Sequence, residues 1–397
     1  MQRQILHVDV NNAFLSWTAL YRLNKGETVD IRTIPAVIGG DETRRAGIVL
    51  AKSQLAKSCG VATGETLYQA RLKCPNLEVF SPIFPVYKEY SNMLYSLLLE
   101  YTDKIERFSI DECFMDMTEY LQGRELLDIA YEINKRAREE LGFTVNIGVA
   151  HNKLLAKMAS DFEKPDKVHT LFENEIKDKM WPLKTNDLFM LGKKTYPVLY
   201  NMGIKTIGDL AKSDMLLIQR RFGKFGKMMW EYANGIDNSP VNYIREKPKS
   251  IGNSITLPID ITNMEKLYEV LFKLTESVTY RLRKEKLIAS TVNIQIRTNK
   301  FEDSSHQGKL MNPTSNTIEI YEKAKELLKE LYKQGVYVRL LGVRVDNLIK
   351  IEDKQFSFFE DAKEKKHEKI DETLDKVKEK YGYNSITRGR GINTFEG

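Results

Sequence analysis

At 397 residues the chain is too long for one ordinary compact domain and reads as about two to four. Hydrophobic residues make up 42%, enough for packed cores, yet no apolar run spans a bilayer and no charged-then-apolar leader opens the chain. A cytoplasmic protein without membrane segments is therefore expected. Three cysteines without a CxxC spacing and five scattered histidines argue against a disulfide framework or a zinc site, and read as reduced packing residues. A net charge of +6 permits a polyanionic partner without requiring one.

Ile5 to Val10 is an apolar strand that carries Asp9 near its end. Residues 11–75 form a small mixed segment with Gly39-Gly40, an Arg44-Arg45 pair and a helix over Ala51–Ser58. Pro82 and Pro85 mark an irregular link. Tyr87 to Lys104 places Tyr90, Leu94, Leu97, Leu98 and Tyr101 at helical spacing. The run Arg107-Phe-Ser-Ile-Asp-Glu-Cys-Phe-Met-Asp-Met117 follows, with Asp111 and Glu112 flanked by Ile110 and Phe114. No Gly, Pro or Asn breaks it, so it reads as a continuous strand and not a turn. Two carboxylates on a strand are costly to hold together unless something positive neutralises them. A hard divalent cation is the natural partner. If the first strand is a neighbour, Asp9, Asp111 and Glu112 form a cluster able to hold two metals for in-line phosphoryl or nucleotidyl transfer. A helix over Gly123–Leu141, a strand over Phe143–Val149, a short helix over Asn152–Asp161 and a strand over Val168–Phe172 complete an α+β sheet with its helices on one face.

After Asp166 the texture changes. Gly192-Lys193-Lys194 leads into a helix, a Gly-containing turn and a second helix through Leu210. Such a pair can turn backbone amides and lysines toward a DNA phosphate, or be an ordinary helix pair. Pro240 and Pro248 mark a linker. Beyond it lies a second α+β unit. It has strands over Ser250–Leu257, Ser290–Thr298 and Tyr337–Leu348, helices over Asn263–Lys286 and Glu322–Gln334, and a polar hairpin region over Lys300–Asn316. Its strands carry Arg297, Arg339 and Arg344. Basic clusters at Arg281–Lys286, Arg245–Lys249 and around Arg220, Arg221, Lys224 and Lys227 point, as a set, toward nucleic acid. In the tail, Gln355-Phe-Ser-Phe-Phe359 reads as a docking peptide or as a patch folded on the body. A charged helix over Asp361–Lys380 follows, with Ile370, Leu374 and Val377 on one face.

Four signatures in this order resemble the Y-family of translesion DNA polymerases over nearly the whole chain. They are His7-Val-Asp-Val-Asn-Asn-Ala-Phe14; Ser109-Ile-Asp-Glu112; Gly148-Val-Ala-His-Asn-Lys-Leu-Leu-Ala-Lys157 with Ala159-Ser-Asp161 and Lys164-Pro165; and Lys249-Ser-Ile-Gly-Asn-Ser254. The resemblance implies an α+β, multidomain, right-hand fold. Its parts would be a ferredoxin-like palm (1–10 and 76–166), small fingers (11–75), a helical thumb with a helix-hairpin-helix (167–235), a linker (236–249), an α+β little finger (250–348) and a tail (349–397). It implies that Asp9, Asp111 and Glu112 are the catalytic metal ligands, with the Val10 carbonyl, for two Mg²⁺ ions that Mn²⁺ could replace. Phe14 matches the steric gate that excludes a ribose 2′-OH, and Lys164 matches the lysine that contacts the incoming triphosphate. Gln54 and Lys57 stand where many relatives place Tyr and Arg. Lys57 lacks the bidentate fork of Arg, and Gln54 can donate only neutral hydrogen bonds, which leaves the branch of the family open. Lys193, Lys194, Lys249, Ser250, Arg297, Arg339 and Arg344 would contact DNA. Gln355, Phe358 and Phe359 resemble a peptide that docks on the bacterial sliding clamp. The implied function is low-fidelity, template-directed synthesis on primer-template DNA from deoxynucleoside triphosphates, by a monomer. A nucleotide cyclase, which also uses paired carboxylates and two metals, and a DNA-binding relative that has lost its chemistry are the rival readings.

Overall fold

A computed structural model describes residues 2–45, 47–244, 247–353 and 362–388. It forms two units, Met1–Gly40 with Gly47–Arg245, and Asp41–Ala46 with Glu246–Gly397.

In the first unit, strand β1 (Ile5–Val10) is buried throughout and leads into helix α1 (Ala13–Asn24). A small sheet follows, built from β2 (Ala36–Gly39), β3 (Val49–Lys52) and, beyond helices α2 (Gln54–Ser58) and α3 (Leu67–Lys73), β4 (Glu78–Phe80). The order is β3-β2-β4, with β2 antiparallel to β3 and parallel to β4. The helix expected over 51–58 is thus divided. Val49 and Ala51 are buried while Leu50 and Lys52 are half-buried, a strand alternation, and only after Ser53 caps the Ala56 amide does the helix begin. The small sheet takes its third strand from beyond residue 75, past the boundary expected from the sequence. Cys74 and Cys113 are buried as packing residues, but Cys59 is exposed.

The main sheet comprises β1, β5 (Ile105–Arg107), β6 (Glu112–Asp116), β7 (Val145–Ala150) and β8 (Val168–Thr170), in the order β5-β6-β1-β7-β8. Leu6, Val8 and Val10 of β1 lie in one core with α4 (Phe84–Leu99) and α5 (Leu126–Leu141). Ile5 packs instead in a second core with α6 (Lys153–Ser160), and alternation places His7 and Asp9 on that same face. The expected one-sided sheet is therefore covered on both faces. Gly148 of β7 permits this, because a Cβ there would stand 1.8 Å from the Ala156 carbonyl oxygen of α6. The carboxylate-bearing run is not a continuous strand either. Phe108 and Ser109 both donate backbone N–H bonds to the Glu112 carbonyl (3.0 and 3.2 Å), which closes a tight hairpin between β5 and β6. Phe108 and Ile110 point outward, at 44% and 37% exposure. Ser109 supplies the turn that no Gly or Asn announced, its hydroxyl bonding the Asp111 side chain and accepting the Asp111 N–H. Four short helices complete the unit: α7 (Tyr196–Asn201), α8 (Ile207–Lys212), α9 (Met215–Phe222) and α10 (Lys224–Ala233). Gly203, at φ +83°, makes the turn between α7 and α8.

The second unit is an antiparallel sheet of β9 (Ser250–Ile261), β10 (Leu287–Thr298), β11 (Asp303–Thr314) and β12 (Val338–Lys350), in the order β11-β10-β12-β9. Helices α11 (Met264–Lys284) and α12 (Thr317–Leu331) cover one face, over Val292, Ile294, Leu341, Val343 and Val345. The expected polar hairpin region is a full edge strand, β11. Its Asp303–Gln307 stretch is exposed and carries no apolar alternation to reveal it. α12 starts at Thr317, five residues earlier than expected, because the Asn316 side chain caps it. Helix α13 (Ala362–Tyr381) folds back on this unit through polar groups, with Ile370 exposed and Leu374 and Val377 half-buried. The buried Asp371 accepts from the Thr317 backbone N–H at 2.9 Å, and Asp375 pairs with Arg283 at 2.6 Å. The docking peptide at 355–359 lies outside the described residues.

Gly148→Ala is expected to destabilise the first unit by about 3 kcal/mol or more, because α6 must leave the sheet to admit the methyl group. Denaturant unfolding of the purified variant checks this.

Candidate active site

Asp9 sits directly opposite Glu112 in the β1–β6 register, and the Val10 N–H donates to the Asp111 carbonyl at 3.0 Å. The hairpin thus delivers Asp111 and Glu112 to the end of β1. The carboxylates of Asp9 and Glu112 meet across a lysine from α6. Lys157 is 7% exposed, and its Nζ lies 3.2 Å from Asp9 Oδ2, 3.0 Å from Glu112 Oε1 and 3.1 Å from Asp161 Oδ2. Lys164 stands further out, 2.8 Å from Asp9 Oδ2 and 2.9 Å from Asp161 Oδ1. Asp111 bonds the Ser109 hydroxyl. Among the described residues, no three His, Cys, Asp or Glu side chains already close a metal cage.

The electrostatics follow from burial. Glu112 is pushed up from the usual carboxylate range, first by burial and then by the Asp9 and Asp111 charges, while Lys157 opposes the shift. Burial by itself lowers the Lys157 ammonium, but Asp9, Asp161 and Glu112 together raise it above the ordinary lysine range. Lys164 is raised in the same way. His7 lies beneath this corner, fully buried, with Nδ1 2.8 Å from the Ser160 hydroxyl. Burial, with the charges of Lys157, Lys164 and Lys153, holds its pKa well below the usual value, so its ring is neutral. Asp9, Glu112 and Asp161 pair with two ammonium groups and Asp111 stands beside them, so by formal charge four carboxylates against two ammonium groups leave two negative charges. A hard oxygen donor set with a net negative charge of this size fits Mg²⁺ or Mn²⁺.

The surroundings are tied down. Asn12, at φ 51°, turns the chain sharply from β1 into α1. This puts Phe14 in the first turn of α1, its ring stacked on Tyr87 at 4.6 Å and edge-on to Phe84 at 6.2 Å. The fully buried Asn146 donates to the Ser160 and Glu163 carbonyls at 3.1 and 2.7 Å. Its oxygen accepts from Asn11 and from the Lys167 N–H, and Asn11 in turn accepts from the Asp166 N–H. This network anchors the loop that carries Lys164. The sequence reading assigned no role to Lys157, Asn11 or Asn146. A signal was present for the first, since Lys157 interrupts the run Leu154, Leu155, Ala156, Met158, Ala159, all buried.

The remaining expected residues lie elsewhere. Gln54 and Lys57 are three apart on α2, and both are exposed. Lys193 and Lys194 are exposed in the turn before α7. In the second unit Lys249 is exposed and Ser250 begins β9. The sheet face away from α11 and α12 is polar. Gly252, Ser254, Asn293, Gln295, Gly342 and Arg344 line a cavity of about 290 Å³ on it. Arg344 pairs with Asp346 at 3.0 Å and Arg297 with Asp303 at 2.8 Å, while Arg339 stacks on Phe301. Two of the three arginines are thus already neutralised by their own unit.

Comparison with known proteins places the chain. Residues 8–161 match the impB/mucB/samB family and residues 248–358 match its C-terminal domain. The chain is 47% identical over 388 residues to DNA polymerase IV of Clostridium acetobutylicum, which covers 98% of each. It is 37% identical over 400 residues to DNA polymerase IV 1 of Bacillus subtilis, covering 99% of this chain and 94% of that one. A solved Y-family DNA polymerase chimera has the same fold, with a TM-score of 0.77 at 24% identity over 87% of this chain and 99% of that one. The chain belongs to the impB/mucB/samB family, the Y-family of DNA polymerases. Among the described residues no helix is long and apolar enough to cross a membrane.

Asn146→Ala takes the partner from the buried Ser160 carbonyl and from the part-buried Glu163 carbonyl and Lys167 N–H, and is expected to cost about 2–4 kcal/mol. Hydrogen exchange should rise in residues 160–167 more than in α4 or α5.

Proposed function

We propose that this chain is a template-directed DNA polymerase of the translesion class, with its chemistry at Asp9, Asp111 and Glu112. The observation that carries the reading is the β1–β6 pairing, which sets Asp9 opposite Glu112 and Asp111 beside the end of β1. The side chains of these three residues, with the Val10 carbonyl, would hold two divalent ions. Bound there, two such ions supply a primer 3′-OH of lowered pKa and neutralise charge on the pyrophosphate leaving group. The protein groups do the rest. Lys164, at the rim, is placed to meet the triphosphate and to offset the charge that develops on it. Lys57 adds a point charge from α2, and Gln54 adds hydrogen-bond capacity. Phe14, braced by Tyr87 and Phe84, offers a wall that cannot swing aside for a 2′-hydroxyl.

Lys193 and Lys194 would take template or primer phosphates from the first unit, and Lys249, Ser250 and the polar sheet face from the second. Phosphate contacts of this kind position the duplex without reading its sequence. Arg339 is the arginine best placed for such a role, since Arg297 and Arg344 are ion-paired. Gln355, Phe358 and Phe359 would tether the enzyme to a sliding clamp and raise its local concentration at the primer end. Because α13 packs on the second unit, that proposal is tested by Phe358→Ala with Phe359→Ala and not by truncation.

Asp9→Asn or Glu112→Gln is expected to lower primer extension by about 10²–10³-fold or more, the loss of several kcal/mol of metal-based stabilisation. Duplex binding, measured by fluorescence anisotropy, should stay within about twofold, because phosphate contacts elsewhere supply it. Persistent extension would remove both residues from the metal site, and cyclic nucleotide production without extension would favour a cyclase. Phe14→Ala should raise ribonucleotide incorporation relative to deoxynucleotide incorporation by at least about tenfold. Unchanged sugar discrimination would remove Phe14 from the gate.

A further inference from the structure

The two lysines at the carboxylate corner are not equivalent. Lys157 rises from the middle of α6, a helix buried from Leu154 to Ser160, and its side chain is only 9% exposed. Its ammonium touches carboxylates from three places in the chain: β1, the start of β6, and the residue after α6. The Lys164 side chain is 36% exposed, stands on a loop, and pairs with Asp9 and Asp161. To leave its carboxylates Lys157 would have to break three ion pairs from a side chain only 9% exposed, whereas Lys164 breaks two from one that is 36% exposed. We infer that Lys157 is a permanent internal counter-ion, a positioning residue that holds Asp9 and Glu112 together in the folded chain before any metal binds and tempers the pull of the site on metal. Lys164 is the exchangeable cation, seated on Asp9 Oδ2 until another positive charge takes that oxygen. The inference rests on the reading of Asp9 and Glu112 as metal ligands.

A residue that only fills space and one that balances charge behave differently when an opposing charge is removed. Lys157→Met keeps most of the stem and deletes the ammonium. In EDTA, without DNA or nucleotide, its melting temperature is expected to fall by about 5–10 °C, since a buried and a half-buried carboxylate are left without the ammonium between them. Mn²⁺ should raise that melting temperature more than it raises the native protein's, and should bind about tenfold more tightly by titration against its EPR signal. Adding Glu112→Gln should recover most of the loss seen in EDTA. Lys164→Met should change the melting temperature in EDTA by less than about 2 °C. If Lys157→Met does not fold, Lys157→Met/Glu112→Gln is compared with Glu112→Gln alone, and melting temperatures within about 2 °C of each other are expected. A loss that Glu112→Gln leaves untouched, with a Mn²⁺ shift no larger than the native one, would reduce Lys157 to a packing residue. None of these readouts uses primer extension, so failure of the polymerase assignment and failure of this inference are separately visible.

Discussion

The first unit is organised around one electrostatic constraint. Acidic side chains that lie close together cannot stay close in a folded core unless a positive charge stays with them. Here the charge comes from Lys157, 3.0 Å from Glu112 and 3.2 Å from Asp9. Burial of Asp9 and partial burial of Glu112 weaken the screening that water gives two exposed carboxylates. The helix that carries the lysine must therefore lie directly on the sheet that carries the acids.

Much of the local architecture follows from bringing α6 that close. Gly148 gives up its side chain so that the Ala156 carbonyl can come down on β7. His7, on the same face, stays neutral and is held by Ser160, and so adds no charge to the corner. Asn146 and Asn11 satisfy the backbone at the end of α6 and fix the loop that follows, which sets the height of Lys164. On the other face of β1, Val8 and Val10 anchor the strand in the core under α4 and α5. The same strand is thus rigid on one side and chemically loaded on the other, as a site working on phosphates requires.

The sequence reading succeeded and failed for physical reasons that can be assigned to particular residues. The amphipathic helices α4, α5 and α11 were legible because burial of one face imposes a period on the side chains, and β1 because it is a short, mostly apolar run buried throughout. The β5–β6 hairpin was missed because Ser109, a weaker turn former than Gly or Asn, makes the turn through its hydroxyl. The last two residues of β3 fall in the helix expected over 51–58 because a four-residue strand is too short to show its alternation clearly. β11 was missed because an exposed edge strand has no buried face to write a pattern. α13 was read by its apolar residues, yet it docks through Asp371 and Asp375, whose partners Thr317 and Arg283 are remote in sequence.

The sequence by itself determined the chemical inventory. It identified one carboxylate near the end of the first strand and two inside a β-prone run, an aromatic just after the first strand, a lysine before Pro165, and an order of motifs specific enough to place the chain in its family. Short-range pattern carries that much, because residue types at fixed spacing answer to local geometry. Only the tertiary structure decided how the charges are balanced. That Lys157 spans Asp9 and Glu112, that Lys164 waits on Asp9, and that Asn146 fastens the loop between them depend on residues more than a hundred positions apart along the chain or on opposite sides of a sheet and a helix. Charge neutralisation acts through space, so no local stretch of sequence can record it.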